Sequence, residues 1–436
     1  MVLLCRSLFL LLLAGILAAC GSAAESAPRV EISDSAGVRI VMNRSARWAE
    51  GEAWRVPGEP ELVIGALAGP PEEQFVEIAA AARQSDGDIV LADRGAAAVR
   101  LYNREGLFLR TLGGQGSGPG EYRDPASVLV TVGDSITVWD DQLYRSTRYD
   151  PSGNRVAIHT LDRATLAKAV EPPLYPGPGM PLPNGDVLVR LVEKAKDQLS
   201  GVFRASSGLL RAEKALRHVD TVVFFGDVEQ VGLEAPFGSV PVRAPLARNT
   251  SIAHGGDSLR ICVGTQRQPQ VQCFGPGGSS MLVRWSGEPR PVREEDMTRW
   301  REETLEALGD KLAEDQVRPL LRKVPRPTQR PPYSDIHLDE PGNLWVRLGP
   351  TRKGPPSWID HGVFDSQGAL LGTVLLPPIR VLEIGRDYVL GVHEDELEVE
   401  YLHLYPLVKP EEGEGQAEAS ARNGTTTEEQ LPSVAF

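Results

Sequence analysis

The chain has 436 residues, with 46 Lys and Arg against 59 Asp and Glu, for a formal net charge of −13. Nucleic acid is therefore not expected as a partner: phosphate backbones are held by basic patches, and the Arg-rich run from Arg318 to Arg330 is broken by prolines and lies beside acidic stretches. The length suits two or three average domains or one large all-β unit, so internal repeats decide between them.

The first element is a leader. Arg6 supplies one early positive charge, and an apolar stretch from Leu8 to Ala19 ends at Cys20-Gly21-Ser22. A membrane-spanning helix needs about 20 apolar residues, and the polar run from Ser22 to Arg29 stops this one short. Leu17-Ala18-Ala19-Cys20 resembles the lipobox of bacterial lipoproteins, in which the cysteine thiol receives a diacylglycerol. The resemblance implies a signal peptide over residues 1–19, lipidation at Cys20 and a tether over 20–30. Gly21 is not the aspartate that retains such proteins at the inner membrane, so an outer-membrane lipoprotein is expected, periplasmic or surface-exposed. An ordinary signal peptide cut nearby would leave Cys20 a plain thiol.

Six hairpins follow. Their first strands read Asp86 to Asp93, Gly133 to Asp140, Asn184 to Val189, Gly256 to Val263, Pro341 to Val346 and Arg386 to Leu390. Each is followed by a second apolar strand, beginning near Val99, Ser146, Gly201, Val271, Gly362 and Glu400, and most of these run into a turn with Gly. Period-2 alternation between Asp-Gly or Pro-x-Gly corners is the signature of antiparallel hairpins. One such unit cannot bury both of its faces, so the units must stack, and four-stranded units repeated around an axis close into a propeller. The expected fold is an all-β, six-bladed β-propeller of four-stranded antiparallel blades over residues 31–408. The segment Glu31 to Met42 has no local strand partner and is expected to complete the last blade, which is short of strands.

The first repeat, from Ser85 through Gly113 and on through Gly118-Pro119-Gly120-Glu121-Tyr122, resembles an NHL repeat. The chain as a whole resembles six-bladed propeller lipoproteins of bacteria of the NHL or TolB-like type. Two stretches depart from the repeat. Residues 292–324 place Met297, Trp300, Leu305, Leu308, Leu312, Val317 and Leu320 at helical spacing, predicting one or two amphipathic helices between the fourth and fifth blades. This insertion either projects from one face as a partner-binding element or lies as a lid over a blade edge. Residues 409–436 are acidic and polar and are expected to be a disordered tail.

Candidate sites are few. Cys262 and Cys273 fall on the two strands of the fourth hairpin, where an oxidising compartment would join them. A one-residue slip in register would put them on opposite faces as free thiols. Two cysteines without matched histidines make no metal site. The Gly-rich run Gly113 to Gly120 leads into a strand rather than a helix and reads as a linker between blades, not a phosphate loop. Asp335 and His337 are placed on the innermost strand of the fifth blade and His254 on that of the fourth, forming a polar cluster near the axis.

Six-bladed relatives such as lactonases and esterases bind calcium at that position, and some lyases use channel histidines. Those three residues are therefore the catalytic candidates of an enzyme reading, with calcium as its cofactor. Polar residues at a solvated axis are also ordinary in propellers. The expected function is a lipid-anchored binding or scaffold module for a protein, peptide or glycan, with no cofactor of its own and the membrane reached through Cys20.

Overall fold

The computed structural model describes residues 28–49, 51–168, 175–193, 201–213, 219–235, 238–309, 312–350 and 358–410. The expected signal peptide over 1–19, Cys20, most of the expected tether and the residues beyond Pro410 lie outside the described residues.

The described chain opens with a hairpin of β1 (Val30–Ser35) and β2 (Val38–Asn43), then a short strand β3 (Leu62–Ile64). Sheet one takes β4 (Ile78–Arg83), β5 (Ile89–Asp93), β6 (Ala98–Tyr102) and β7 (Phe108–Gly113) in order. Sheet two takes β8 (Pro125–Val130), β9 (Ile136–Asp140), β10 (Arg145–Tyr149) and β11 (Arg155–Thr160). A short helix α1 (Arg163–Lys168) leads to sheet three: β12 (Tyr175–Pro181), β13 (Val187–Val192), β14 (Val202–Ala212), β15 (Val219–Ala235) and β16 (Gly238–Arg243). Sheet four holds β17 (Ser251–Gly255), β18 (Arg260–Gly264), β19 (Gln270–Phe274) and β20 (Ser280–Trp285). Helices α2 (Glu294–Leu308) and α3 (Glu314–Leu321) intervene before sheet five, made of β21 (Asp335–Leu338), β22 (Leu344–Pro350), β23 (Ile359–Phe364) and β24 (Leu370–Leu376). Sheet six holds β25 (Arg380–Ile384), β26 (Tyr388–Glu394) and β27 (Glu400–Pro406).

Each hairpin read from the sequence is the second and third strand of one sheet. In β5 and β6 every residue is buried, because both faces of the sheet meet a neighbour; such strands are near-continuous apolar runs. The outer strand β7 turns most of its residues to solvent. Asp93 and Asp140, both fully buried at the ends of β5 and β9, explain the recurring aspartate. Asp93 accepts backbone N–H groups of Ala96 at 3.1 Å and Glu77 at 3.2 Å, and Asp140 those of Leu143 and Arg123, both at 2.7 Å. One carboxylate thus fixes both a turn and the strand linker beside it, and satisfies buried backbone donors in doing so.

Separate apolar cores join consecutive sheets around the ring. Val90 and Val99 meet Ile136 and Val138, and Trp139 meets Val187 and Leu210. Leu188 and Leu209 meet Ile261 and Val263, and Cys262 and Val271 meet Ile336 and Val346. Trp345 and Val374 meet Val389 and Tyr405, and Leu390 and Leu404 meet Ile78 and Leu91. The ring is closed, and the protein is a β-propeller of six sheets among the described residues. Four of the sheets have four strands, the third has five and the fourth has six.

The extra strands correct one expectation. Residues Glu31 to Met42 do not complete the last blade: β2 runs parallel to β20 on the outer edge of sheet four, with β1 outside it. The last blade is completed instead by β3, antiparallel to β27 with Ile64 opposite Leu402. The hairpin is held where it is by buried Asn43. Its amide donates to the carbonyls of Arg284 and Gly368, both at 2.9 Å, and its oxygen accepts the Leu370 N–H at 2.7 Å. A buried amide is costly without such partners, and these lie on sheets four and five.

The insertion forms two helices, as its spacing predicts. Asp296, in the first turn of α2, accepts the Arg293 backbone N–H at 2.8 Å, the return half of a capping box. Met297, Trp300, Leu308, Val317 and Leu321 bury against Val231, Leu233 and Val242 of β15 and β16. The helices therefore lie over the outer strands of sheet three rather than projecting from a face. No helix among the described residues is long and apolar enough to cross a membrane.

Candidate functional site

In an antiparallel blade the linker into the first strand and the turn between the second and third strands lie at one end. The turn between the first and second strands lies at the other. These ends are called the linker face and the turn face, and the innermost strands β4, β8, β12, β17, β21 and β25 line the axis between them.

The axial candidates lie on two adjacent innermost strands, β17 and β21. Asp335 and His337 share a face of β21, with Asp335 Oδ2 3.6 Å from His337 Nε2. Arg347 stands opposite Asp335, and His361 opposite Arg347. His361 was not singled out from the sequence; it is buried, with Nδ1 3.1 Å from the Ile359 carbonyl oxygen. Burial lowers the pKa of His337 against the opposing pull of Asp335, and burial with the nearby His337 lowers that of His361 to about 3. The His361 imidazole is therefore neutral at neutral pH. His254 lies on the neighbouring innermost strand β17; no hydrogen bond or ion pair among the described residues joins it to Asp335 or His337, and burial lowers its pKa to about 4. No group of three or more His, Cys, Asp or Glu suited to a metal ion occurs among the described residues.

Cys262 and Cys273 stand directly opposite each other in β18 and β19 and are joined by a disulfide, with Cα atoms 4.0 Å apart.

At the turn face, Glu383 of β25 accepts the Arg83 backbone N–H at 2.9 Å and the Tyr388 hydroxyl at 2.8 Å. Burial raises its pKa to about 7. It lines a recess of about 610 Å³ with Arg83, Glu340 and Asp387. Arg386 bridges Glu340 at 2.8 Å and Asp257 at 3.0 Å, tying together the turns of the last three blades.

The linker face carries the larger feature, a cleft of two adjoining lobes between α2 and blades four and five. The first lobe, about 610 Å³, is lined by Arg248, Arg267, Arg290 and Arg330 against Glu288 and Asp360. The second, about 600 Å³, shares Arg290 and Arg330 and adds Arg243, Arg299 and Arg347 against Asp296 and Glu303. In a chain of net charge −13 this is a local reversal of sign, and a concave basic wall focuses its field on incoming anions.

The cleft is built on fixed backbone. Gln266, at positive φ in the β18–β19 turn, donates to the Ser334 carbonyl at 2.6 Å and accepts the Asn249 N–H at 2.9 Å. Buried Tyr333 accepts the Gln266 N–H and donates to the Gln270 carbonyl, both at 3.0 Å. The Trp300 indole donates to the Arg243 carbonyl at 2.9 Å, seating α2 as one wall. Two of the arginines are paired: Arg330 grips Asp296 through two nitrogens at 3.0 and 2.6 Å, and Arg248 meets Glu229 at 3.3 Å. Arg267, Arg290, Arg299, Arg243 and Arg347 have no carboxylate within ion-pair distance among the described residues. Burial and the neighbouring charge of Arg330 lower the pKa of Arg290. These residues are scattered from position 243 to 347, so no local motif announces the cleft in the sequence.

No family model and no curated protein sequence matches the chain. Among solved structures, it is similar to a Bacteroides fragilis protein described as exported, at 12% identity and a TM-score of 0.44 over 85% of this chain and 100% of the other. It is also similar to a member of the DUF4221 family from Bacteroides vulgatus, at 8% identity and a TM-score of 0.47 over 83% and 100%. Virginiamycin B lyase from Staphylococcus aureus is similar at 10% identity and a TM-score of 0.36 over 76% and 95%.

Proposed function

We propose that the protein is a lipid-anchored envelope propeller that binds a protein, peptide or glycan partner in the arginine-lined cleft of its linker face. The observation that carries this reading is the cleft's position relative to the N-terminal segment. Val30, at the start of β1, pairs with Asn43, and Asn43 pairs with Trp285, which lines the cleft. Two strand spacings are about 10 Å, so the chain leading back towards Cys20 leaves the propeller beside the cleft. A diacylated Cys20 on a short tether holds this face near the outer-membrane surface, on its periplasmic or outer side. Several acyl chains on one residue give stable anchoring where a single chain does not.

In the full chain, Cys20→Ser is expected to move the protein from the membrane to the soluble fraction. A photoreactive side chain at exposed Pro289 in the cleft is expected to capture the partner, while one at exposed Val132 on the turn face captures nothing. Retention of Cys20→Ser at the membrane, or capture from Val132 alone, contradicts the reading.

A second reading, a propeller enzyme of lactonase, esterase or lyase type, is favoured by one observation. Glu383 titrates near neutrality in a recess beside a tyrosine hydroxyl and an arginine, the range in which a general base works best. Hydrolysis of an ester or lactone panel that disappears in Glu383→Gln would favour it. Calcium dependence of that hydrolysis would add the cofactor.

A further inference from the structure

We infer that the ligand of the linker-face cleft is a carboxylate-rich peptide segment of a partner protein; this inference rests on the cleft being the binding site and adds its chemistry. The cleft already contains the recognition it would use. Arg330 takes the Asp296 carboxylate on two nitrogens at 3.0 and 2.6 Å, the fork geometry by which guanidinium binds carboxylates. Beside it, half-buried Arg290 spends one nitrogen on the Pro331 carbonyl, at 2.9 Å, and has no carboxylate among the described residues. Exposed Arg267 makes no side-chain hydrogen bond among the described residues. An entering carboxylate would therefore meet Arg290 and Arg267, which make no ion pair among the described residues.

The walls argue for peptide over glycan. Sugar and nucleobase sites offer exposed aromatic faces for stacking. Here Trp285 is 7%, Trp300 6% and Tyr333 0% exposed, so the rings are structural and their faces are covered. The accessible apolar lining is Pro289, Pro332 and Leu348, surfaces suited to an extended chain. The protein's own acidic stretch beyond Lys409 starts from the opposite end. Leu407 donates its N–H to the Asp387 carbonyl in the turn face at 2.7 Å, so that stretch would have to cross from the turn face to reach the cleft, whereas a separate partner meets the cleft directly.

The test is fluorescence anisotropy of a labelled Glu-rich decapeptide against the full chain, Arg267→Glu and Arg290→Gln, with dextran sulfate as a second probe. The peptide is expected to bind the parent chain, to be weakened at least about tenfold by each substitution, and to be released as salt is raised. Unchanged melting of Arg267→Glu shows that the loss is not unfolding. If dextran sulfate binds through the same arginines and the peptide does not, the peptide assignment is overturned while the cleft stands as a binding site. If neither probe binds, or if the substitutions leave binding unchanged, both are overturned.

Discussion

Ile64 of β3 lies opposite Leu402 of β27, and this antiparallel contact joins the two ends of the propeller. Both side chains are buried in the core shared by the first and last blades, at 2% and 1% exposure. Ile64→Ala is expected to cost about 2–5 kcal/mol of unfolding free energy, read by denaturant titration. Val63, on the same strand but 48% exposed, is the control: Val63→Ala should stay within about 0.5 kcal/mol. Equal effects at the two positions would mean that β3 does not close the ring.

Trp300 anchors the insertion through its packing on β15 and β16 and its bond to the Arg243 carbonyl. Trp300→Ala should destabilise the protein by about 3–5 kcal/mol. Amide exchange in α2 is expected to accelerate before that of the inner strands does, because helices without an anchored face have little stability of their own. Uniform acceleration throughout the molecule would show that the helices are integral to the ring.

The Cys262–Cys273 disulfide closes a loop with a sequence separation of 11 residues. Loop-closure entropy gives about 2–3 kcal/mol for such a cross-link. The double replacement by Ser should lower stability by about that amount while leaving the sheet order unchanged. Intact mass before and after reduction checks the bond itself.

Glu383 makes stability depend on pH in an unusual direction. Burial raises its folded pKa from 4.5 to about 7, so the folded state holds the proton more tightly than the unfolded chain. Its contribution is present at low pH and is lost as pH rises through about 7. His254 and His361 act oppositely. Their folded values of about 4 and about 3 lie below the ordinary 6.5, so they cost stability as pH falls below that value. Glu383→Gln is expected to remove the loss of stability between pH 5 and about 8, seen as a flatter melting temperature in that window. An unchanged slope would place the titration elsewhere.

Six hairpins were legible because turn glycines and apolar strands are local signals. The helical insertion was legible for the same reason, through the spacing of Met297, Trp300 and Leu308. The route of the N-terminus was not. Placing Glu31 to Met42 on sheet four depends on Asn43 meeting Gly368 and Arg284, partners that no local pattern connects. The placement of Asp335, His337 and His254 on innermost strands was readable from the repeat. The buried neighbours were not: Arg347 stands opposite Asp335, and His361 opposite Arg347. The cleft escaped entirely, because its arginines come from three linker segments, one turn, one helix and two strands. Only the stacking of blades four and five beneath the insertion brings them together.

Partner binding at the arginine-lined cleft of the linker face is open to measurement by hydrogen exchange of the full chain with and without saturating Glu-rich peptide. New protection is predicted in residues 264–270, 286–290 and 329–334, with none in the turn-face segments 84–88, 339–343 and 385–387. Protection confined to the turn-face segments, or none anywhere at saturation, would contradict it.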